Sequence, residues 1–215
     1  MKAREQQNEK CFTMPRVTMG PFASFAYAGD TKHLLFSMAR YKFVAKMLHG
    51  KQAVLEAGCG DGFGIPIVLQ EVGTVHACDW ETLALDTLDL KNVSVQCVDL
   101  ALHKPIGRYD AAYSLDVLEH IRPEREGAFM ANIVASLNHH GLLIVGTPNL
   151  SAAAYASEQS KPGHINLKSH DTLRALMHEY FHNVLMFGMN DEVLTTGYGP
   201  MCHYLLAVGT DKKET

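Results

Sequence analysis

The sequence predicts an α/β fold, a doubly wound and mostly parallel sheet of seven strands. Three observations predict it. Apolar, strand-like runs alternate with helix-like segments through most of the 215 residues. One such run, Val54-Leu55-Glu56-Ala57, feeds directly into Gly58-Cys59-Gly60-Asp61-Gly62-Phe63-Gly64. Acidic residues then fall at the ends of later strands, where ligand groups collect in sheets of this kind.

Residues 1–29 lack clear periodicity and contain Pro15, Gly20, Pro21 and Gly29, so they read as a tail and an irregular arm ahead of one domain, 30–215. Asp30 or Thr31 can cap a helix in which Leu34, Met38, Tyr41, Ala45 and Leu48 share a face, and Gly50 ends it. Strands are expected at Gln52–Ala57, Thr74–Asp79, Val93–Val98, Tyr109–Ser114, Gly141–Gly146, Asn183–Phe187 and Cys202–Val208. Helices are expected at Gly62–Val72, Glu81–Leu88, Pro123–Asn138 and Asp171–Tyr180. The interval Leu100–Arg108 is short enough that its crossover helix is missing or reduced to a turn. The long connection Thr147–Ser169 and residues 1–29 are expected to fold over the ligand-bearing edge of the sheet, with Phe22, Phe25, Tyr27 and Tyr155 as lining or as ordinary packing residues.

Composition narrows the class. A chain of this length fits one domain with a full core. Nineteen Lys and Arg against 23 Asp and Glu give a net charge of −4, which does not imply a nucleic-acid-binding face. No apolar run is long enough for a membrane span, and Met1 to Lys10 is unlike a signal peptide. Five cysteines without a C-x-x-C pair read as reduced thiols of a cytoplasmic protein. The twelve histidines are not expected to form a metal site.

The glycine run admits three readings. A dinucleotide fingerprint, G-x-G-x-x-G, fails in both registers, because Phe63 and Ile65 stand where the third glycine is needed. A P-loop fails for want of Gly-Lys-Ser/Thr. A bare βα turn does not need four alternating glycines. Val54 to Gly64 resembles the first motif of the class I S-adenosylmethionine (SAM) methyltransferases, an acid followed by G-x-G-x-G, here Glu56 with Gly58, Gly60 and Gly62. Later segments extend the resemblance from around residue 30 to residue 208. It is nearest to the small-molecule group that includes ubiquinone-biosynthesis O-methyltransferases. The resemblance implies a transferase with strand order 3-2-1-4-5-7-6 and strand 7 antiparallel, using SAM and releasing S-adenosylhomocysteine.

Asp79, 23 positions after Glu56, has the spacing of an acid that accepts from ribose hydroxyls, or it caps the following segment. Trp80 covers an adenine face or packs. The resemblance places Asp99 against the adenine amino group with Leu100 beside the base, the alternative for Asp99 being a turn. It places Asp116, in Ser114-Leu115-Asp116-Val117-Leu118-Glu119-His120, at the methionine end of SAM, with His120 closing the pocket or structural. It pairs Arg40 with the SAM carboxylate, the alternative being an exposed helix residue.

Methyl transfer needs a lone pair, a line of approach and often a base. Topology puts the loops after the fifth and sixth strands at the ligand edge, so His164 is the first choice for the base and His203 the second. A metal held by Asp191, Glu192 and a histidine is a minor alternative. The acceptor is expected to be a small molecule methylated at oxygen or nitrogen, since the Asn-Pro-Pro-Tyr signature of amino-methylating enzymes is absent. Methylation of a surface-polysaccharide group or its sugar precursor, and a SAM-binding regulator without turnover, are the alternatives. No nucleic-acid partner is expected, and the protein is expected to act as a monomer or homodimer.

Overall fold

The computed structural model describes residues 2–81, 85, 86, 88–158 and 161–214. The apolar runs form the centre of one sheet. Strands β1 (Ala53–Ala57), β2 (Thr74–Asp79), β3 (Val93–Cys97), β4 (Tyr109–Leu115) and β5 (Leu137–Pro148) pair in parallel. Val54, Leu55, Ala111, Ala112 and Tyr113 are fully buried, as strands covered on both faces must be.

Strands β6 (Phe181–Asn190), β7 (Val193–Thr195) and β8 (Tyr204–Lys212) complete an eight-stranded sheet of order β3-β2-β1-β4-β5-β8-β6-β7. β8 is antiparallel to both β5 and β6. The expected order is therefore present, with β8 as the antiparallel strand. The eighth strand is an addition. β7 folds back on the edge strand β6, and Asp191 turns the chain with a φ of 53°.

Helices cover the two faces. Among the residues on one face are α3 (Thr31–Met47) and the short α4 (Ile65–Val68), whose Tyr41, Phe43, Val44, Ile65 and Val68 pack with Val54, Val75 and Ala111. The other face carries α5 (Pro123–Ser136) and α6 (His170–Tyr180), which bury Phe129, Ile133, Leu173 and Met177 against Leu55, Ala112 and Leu143. Burial of each such side chain contributes roughly 1.5–3 kcal/mol. Asp30 caps α3 by accepting from His33 N, and Ser169 caps α6 in a reciprocal pair with Thr172.

Three expectations need correction. Of the arm expected over 1–29, residues 2–29 are largely helical, as α1 (Lys2–Thr13) and α2 (Pro21–Gly29). α1 is polar and exposed, so it carries no apolar stripe, and α2 starts at a proline that suits a first turn. The helix expected over Gly62–Val72 shrinks to Ile65–Val68, because the chain leaves the glycine loop in tight turns and tightens again before Gly73. The fifth strand begins at Leu137, directly after α5, where Asn138 was expected to be helical. The helix expected over Glu81–Leu88 falls largely outside the described residues and is not among these. The Leu100–Arg108 interval holds turns only, as expected.

Candidate active site

The carboxyl edge of the parallel strands carries the site. Beyond Ala57 the backbone turns left-handed at Gly58 (φ +81°), Gly60 (φ +53°) and Gly62 (φ +67°). A Cβ at Gly58 would lie 2.3 Å from Val117 Cγ2, and one at Gly62 would lie 2.4 Å from Leu88 Cδ1. Conformation and space both demand glycine. Gly58 N and Cys59 N donate to Cys78 O at 2.8 and 3.0 Å, which ties the loop to β2.

Asp79 ends β2 and clasps the same loop. Its Oδ2 accepts from Gly60 N at 2.8 Å and its Oδ1 from Glu81 N at 2.9 Å. Asp79 thus holds the backbone on both sides, and each oxygen keeps a lone pair for a ligand hydroxyl. Trp80 is 72% exposed, so it is not a packing residue. Asp99 accepts from Ala101 N at 2.8 Å, the turn role, while Arg125 Nη1 stands 3.8 Å from its other oxygen. Leu100 is buried in the core with Val98 and Leu118.

Glu56 lies buried near the end of β1. Tyr41 Oη donates to its Oε1 at 2.9 Å, whereas Glu56 Oε2 and Tyr113 Oη are buried without a hydrogen-bond partner. Burial raises the carboxyl to about 8, against the pull of the Tyr41 hydroxyl. Near neutral pH it is a protonated acid.

Asp116 follows β4 with a φ of 57°, and α3 delivers Arg40 to it. The guanidinium is buried, stacks on the Tyr204 ring and leaves Nε without a partner. Arg40 is therefore not an exposed helix residue. Three residues further on, Glu119 is buried, and Thr147 Oγ1 donates to its Oε2 at 2.9 Å. Burial, then the nearby Asp116, raises its pKa.

Glu119 is also the anchor of the long connection after β5. Its carbonyl accepts from Ile165 N at 2.9 Å and from Asn166 N at 3.0 Å, and His120 Nδ1 lies 2.8 Å from Gly163 O. These bonds bring His164 beside His120, with ring centres 5.3 Å apart. His164 Nδ1 is buried without a partner, and burial followed by His120 lowers the pKa of this imidazole. His203 stands apart. Its N–H donates to Asn190 Oδ1, its carbonyl accepts from Asn149 N, and its exposed ring lies 6.1 Å from that of Tyr155.

The sequence also holds a metal-type spacing, His178-Glu179-Tyr180-Phe181-His182. It forms no helical site: α6 ends at Tyr180 and His182 lies on β6, so the two imidazoles are not one turn apart on one helix. The N-terminal arm rests on the glycine loop. Asp61 Oδ2 accepts from Ala23 N at 2.9 Å, and the Phe22 ring lies against Gly60. Phe25, Tyr27 and Tyr155 are exposed.

The family model described as "Methyltransferase domain" matches residues 28–184. The chain belongs to this methyltransferase domain family. It is 29% identical over 141 residues to the probable S-adenosylmethionine-dependent methyltransferases MT3114 and Rv3030 of two Mycobacterium tuberculosis strains, a match covering 63% of this chain. The chain spans about half (51%) of the length of these curated relatives. The fold of this methyltransferase domain is similar to that of bacterial CtHen1-C (TM-score 0.65, 18% identity, 81% of this chain and 98% of that one). It also resembles DhpI in complex with S-adenosylhomocysteine (SAH; TM-score 0.64, 15% identity, 90% and 94% covered). A third solved structure is the N-methyltransferase NodS from Bradyrhizobium japonicum WM9 with SAH (TM-score 0.58, 14% identity, 84% and 86% covered). Together, the names of the relatives and these complexes support SAM as the cofactor. The strand edge fits it: beside the left-handed glycine loop stand Asp79, whose carboxylate oxygens keep lone pairs for ribose hydroxyls, and the exposed Trp80. Among the described residues no helix is long and apolar enough to cross a membrane.

Proposed function

We propose that the chain transfers a methyl group from SAM to oxygen or nitrogen of a small-molecule acceptor. One juxtaposition carries this reading: a left-handed glycine loop clasped by Asp79, and, on the next strand along the sheet edge, Asp116 with the cluster Glu119, His120 and His164. When bound, SAM supplies an electrophilic methyl on a sulfonium. The glycine loop and Asp79 hold its nucleoside part, with Trp80 and Asp99 toward the base. Arg40 orients Asp116 toward the amino-acid end, so its assignment as a direct partner of the SAM carboxylate gives way to a positioning role.

The acceptor side is formed by His120 and His164, with Glu119 behind them. His164, with a lowered pKa, keeps a free lone pair near neutral pH. His203 stands outside this cluster and is not assigned to it. A small acceptor agrees with the net charge of −4 and with edge loops that expose Trp80, Tyr155, Tyr198 and Met201.

The test is calorimetry with SAH, followed by detection of SAH formed from SAM with a panel of small hydroxyl and amine acceptors. Absence of SAH binding sinks the cofactor assignment. Binding without turnover over a broad panel favours a SAM-responsive regulator, and turnover only with sugars or with RNA replaces the acceptor class.

A further inference from the structure

We infer that Glu119, His120 and His164 bind one divalent transition-metal cation; only its placement beside the methyl-transfer position rests on the reading above. One ligand atom from each of the three residues lies within 4.8 Å of the other two. A four-coordinate ion with bonds of ~2.1 Å holds its ligand atoms ~3.4 Å apart, so closure needs side-chain shifts of about an ångström. The backbones that carry the ligands are already tied together by the bonds from Ile165 N and Asn166 N to Glu119 O.

Each donor is prepared for the role. His120 Nδ1 lies 2.8 Å from Gly163 O, so this nitrogen carries the proton and Nε2 keeps its lone pair. This is the arrangement by which metal-binding histidines are oriented. His164 has a buried nitrogen with no partner in the protein. Glu119 is buried, and Thr147 occupies one carboxylate oxygen, leaving the other for a cation. Two imidazoles and a carboxylate suit a borderline ion such as Zn2+ or Fe2+ rather than Mg2+ or Ca2+, and Mn2+ serves as a paramagnetic probe of the same site. Three protein ligands leave coordination positions open, and an acceptor oxygen bound there would be held in line and made more acidic. His164 then serves as a ligand, not as a free base.

The probe is Mn2+ added to chelator-treated protein without SAM or acceptor, followed by loss of the free Mn2+ electron paramagnetic resonance signal, with Zn2+ as competitor. One Mn2+ per chain is expected, displaced by Zn2+ and weakened about tenfold or more in His120→Ala and in His164→Ala. The exposed His103→Ala should bind as wild type. No saturable binding, or His164→Ala binding as tightly as wild type, overturns the inference. So does loss in His178→Ala, which would move the ion to His178 and His182. SAH titration of the same samples separates the two readings. SAH binding without Mn2+ binding removes only the metal site, and failure of wild type to bind SAH removes the cofactor assignment.

Discussion

Arg40 Nη1 stands 2.8 Å from both carboxylate oxygens of Asp116, although 76 residues separate the two in sequence. The other side of the same guanidinium lies 3.8 Å from the centre of the Tyr204 ring. One cation thus joins α3, the end of β4 and the start of β8 at the candidate site. It also holds Asp116 in left-handed backbone, where a non-glycine residue needs compensation. Asp116→Ala leaves Arg40 buried without its partner. The expected loss is about 2–3 kcal/mol, below that of a fully buried pair because the Asp116 side chain is 36% exposed. Urea denaturation measures it, and an unchanged midpoint refutes the account.

The glycines separate strain from collision. Gly50 and Gly58 share nearly the same φ, +80° and +81°, but a Cβ at Gly50 meets nothing within 4 Å while one at Gly58 meets Val117. Gly50→Ala should cost about 1 kcal/mol from backbone strain alone. Gly58→Ala should cost more and abolish SAH binding. Equal losses for the two variants would show that Val117 moves aside freely.

Glu56 sets a pH dependence of stability. Its folded pKa of about 8 lies above the ordinary 4.5, so the native state keeps a proton that the unfolded chain releases. The contribution is complete below about pH 4.5 and is lost as pH rises to about 8. Its slope is at most about 1.4 kcal/mol per pH unit. Glu56→Gln keeps an acceptor for Tyr41 and removes this slope. Denaturation of both proteins from pH 5 to 9 checks it, and parallel curves would show that Glu56 ionises normally.

Asp79→Ala should weaken SAH binding by about 1–3 kcal/mol, roughly 5- to 150-fold, through loss of the ribose acceptor and of the Gly60 clasp. Calorimetry reads this directly. Wild-type affinity in the variant would remove Asp79 from the nucleoside site.

What could be read from the sequence was local. β1, β2 and β4 are apolar runs bounded by turn residues, and periodicity finds such runs. The left-handed glycines and Asp79 lie within or just after these runs. α2 escaped because its nine residues present only Ala23 to the core, so no stripe marks it. The start of β5 escaped because Asn138, His139 and His140 are exposed and polar although they are strand residues. The site was legible one residue at a time and not as a group. His120 and His164 were each singled out, but their meeting depends on backbone bonds to Glu119, whose part no spacing records. Tyr41 and Tyr204, which buttress Glu56 and Arg40, read only as apolar positions on a helix and a strand.

β8 lies between β5 and β6 in the sheet yet follows both in the chain. As the polypeptide leaves the ribosome, β6 and its hairpin partner β7 therefore have no place to dock. They wait until residues 204–212 arrive and bridge them to β5. The half of the sheet from β3 to β5 has no such dependence, because every pairing there is with a strand already made or next in line. Nascent chains halted before Tyr204 would expose the unpaired edge of β5 and the apolar face of α6 together. In this fold the last strand made is the one that closes the sheet.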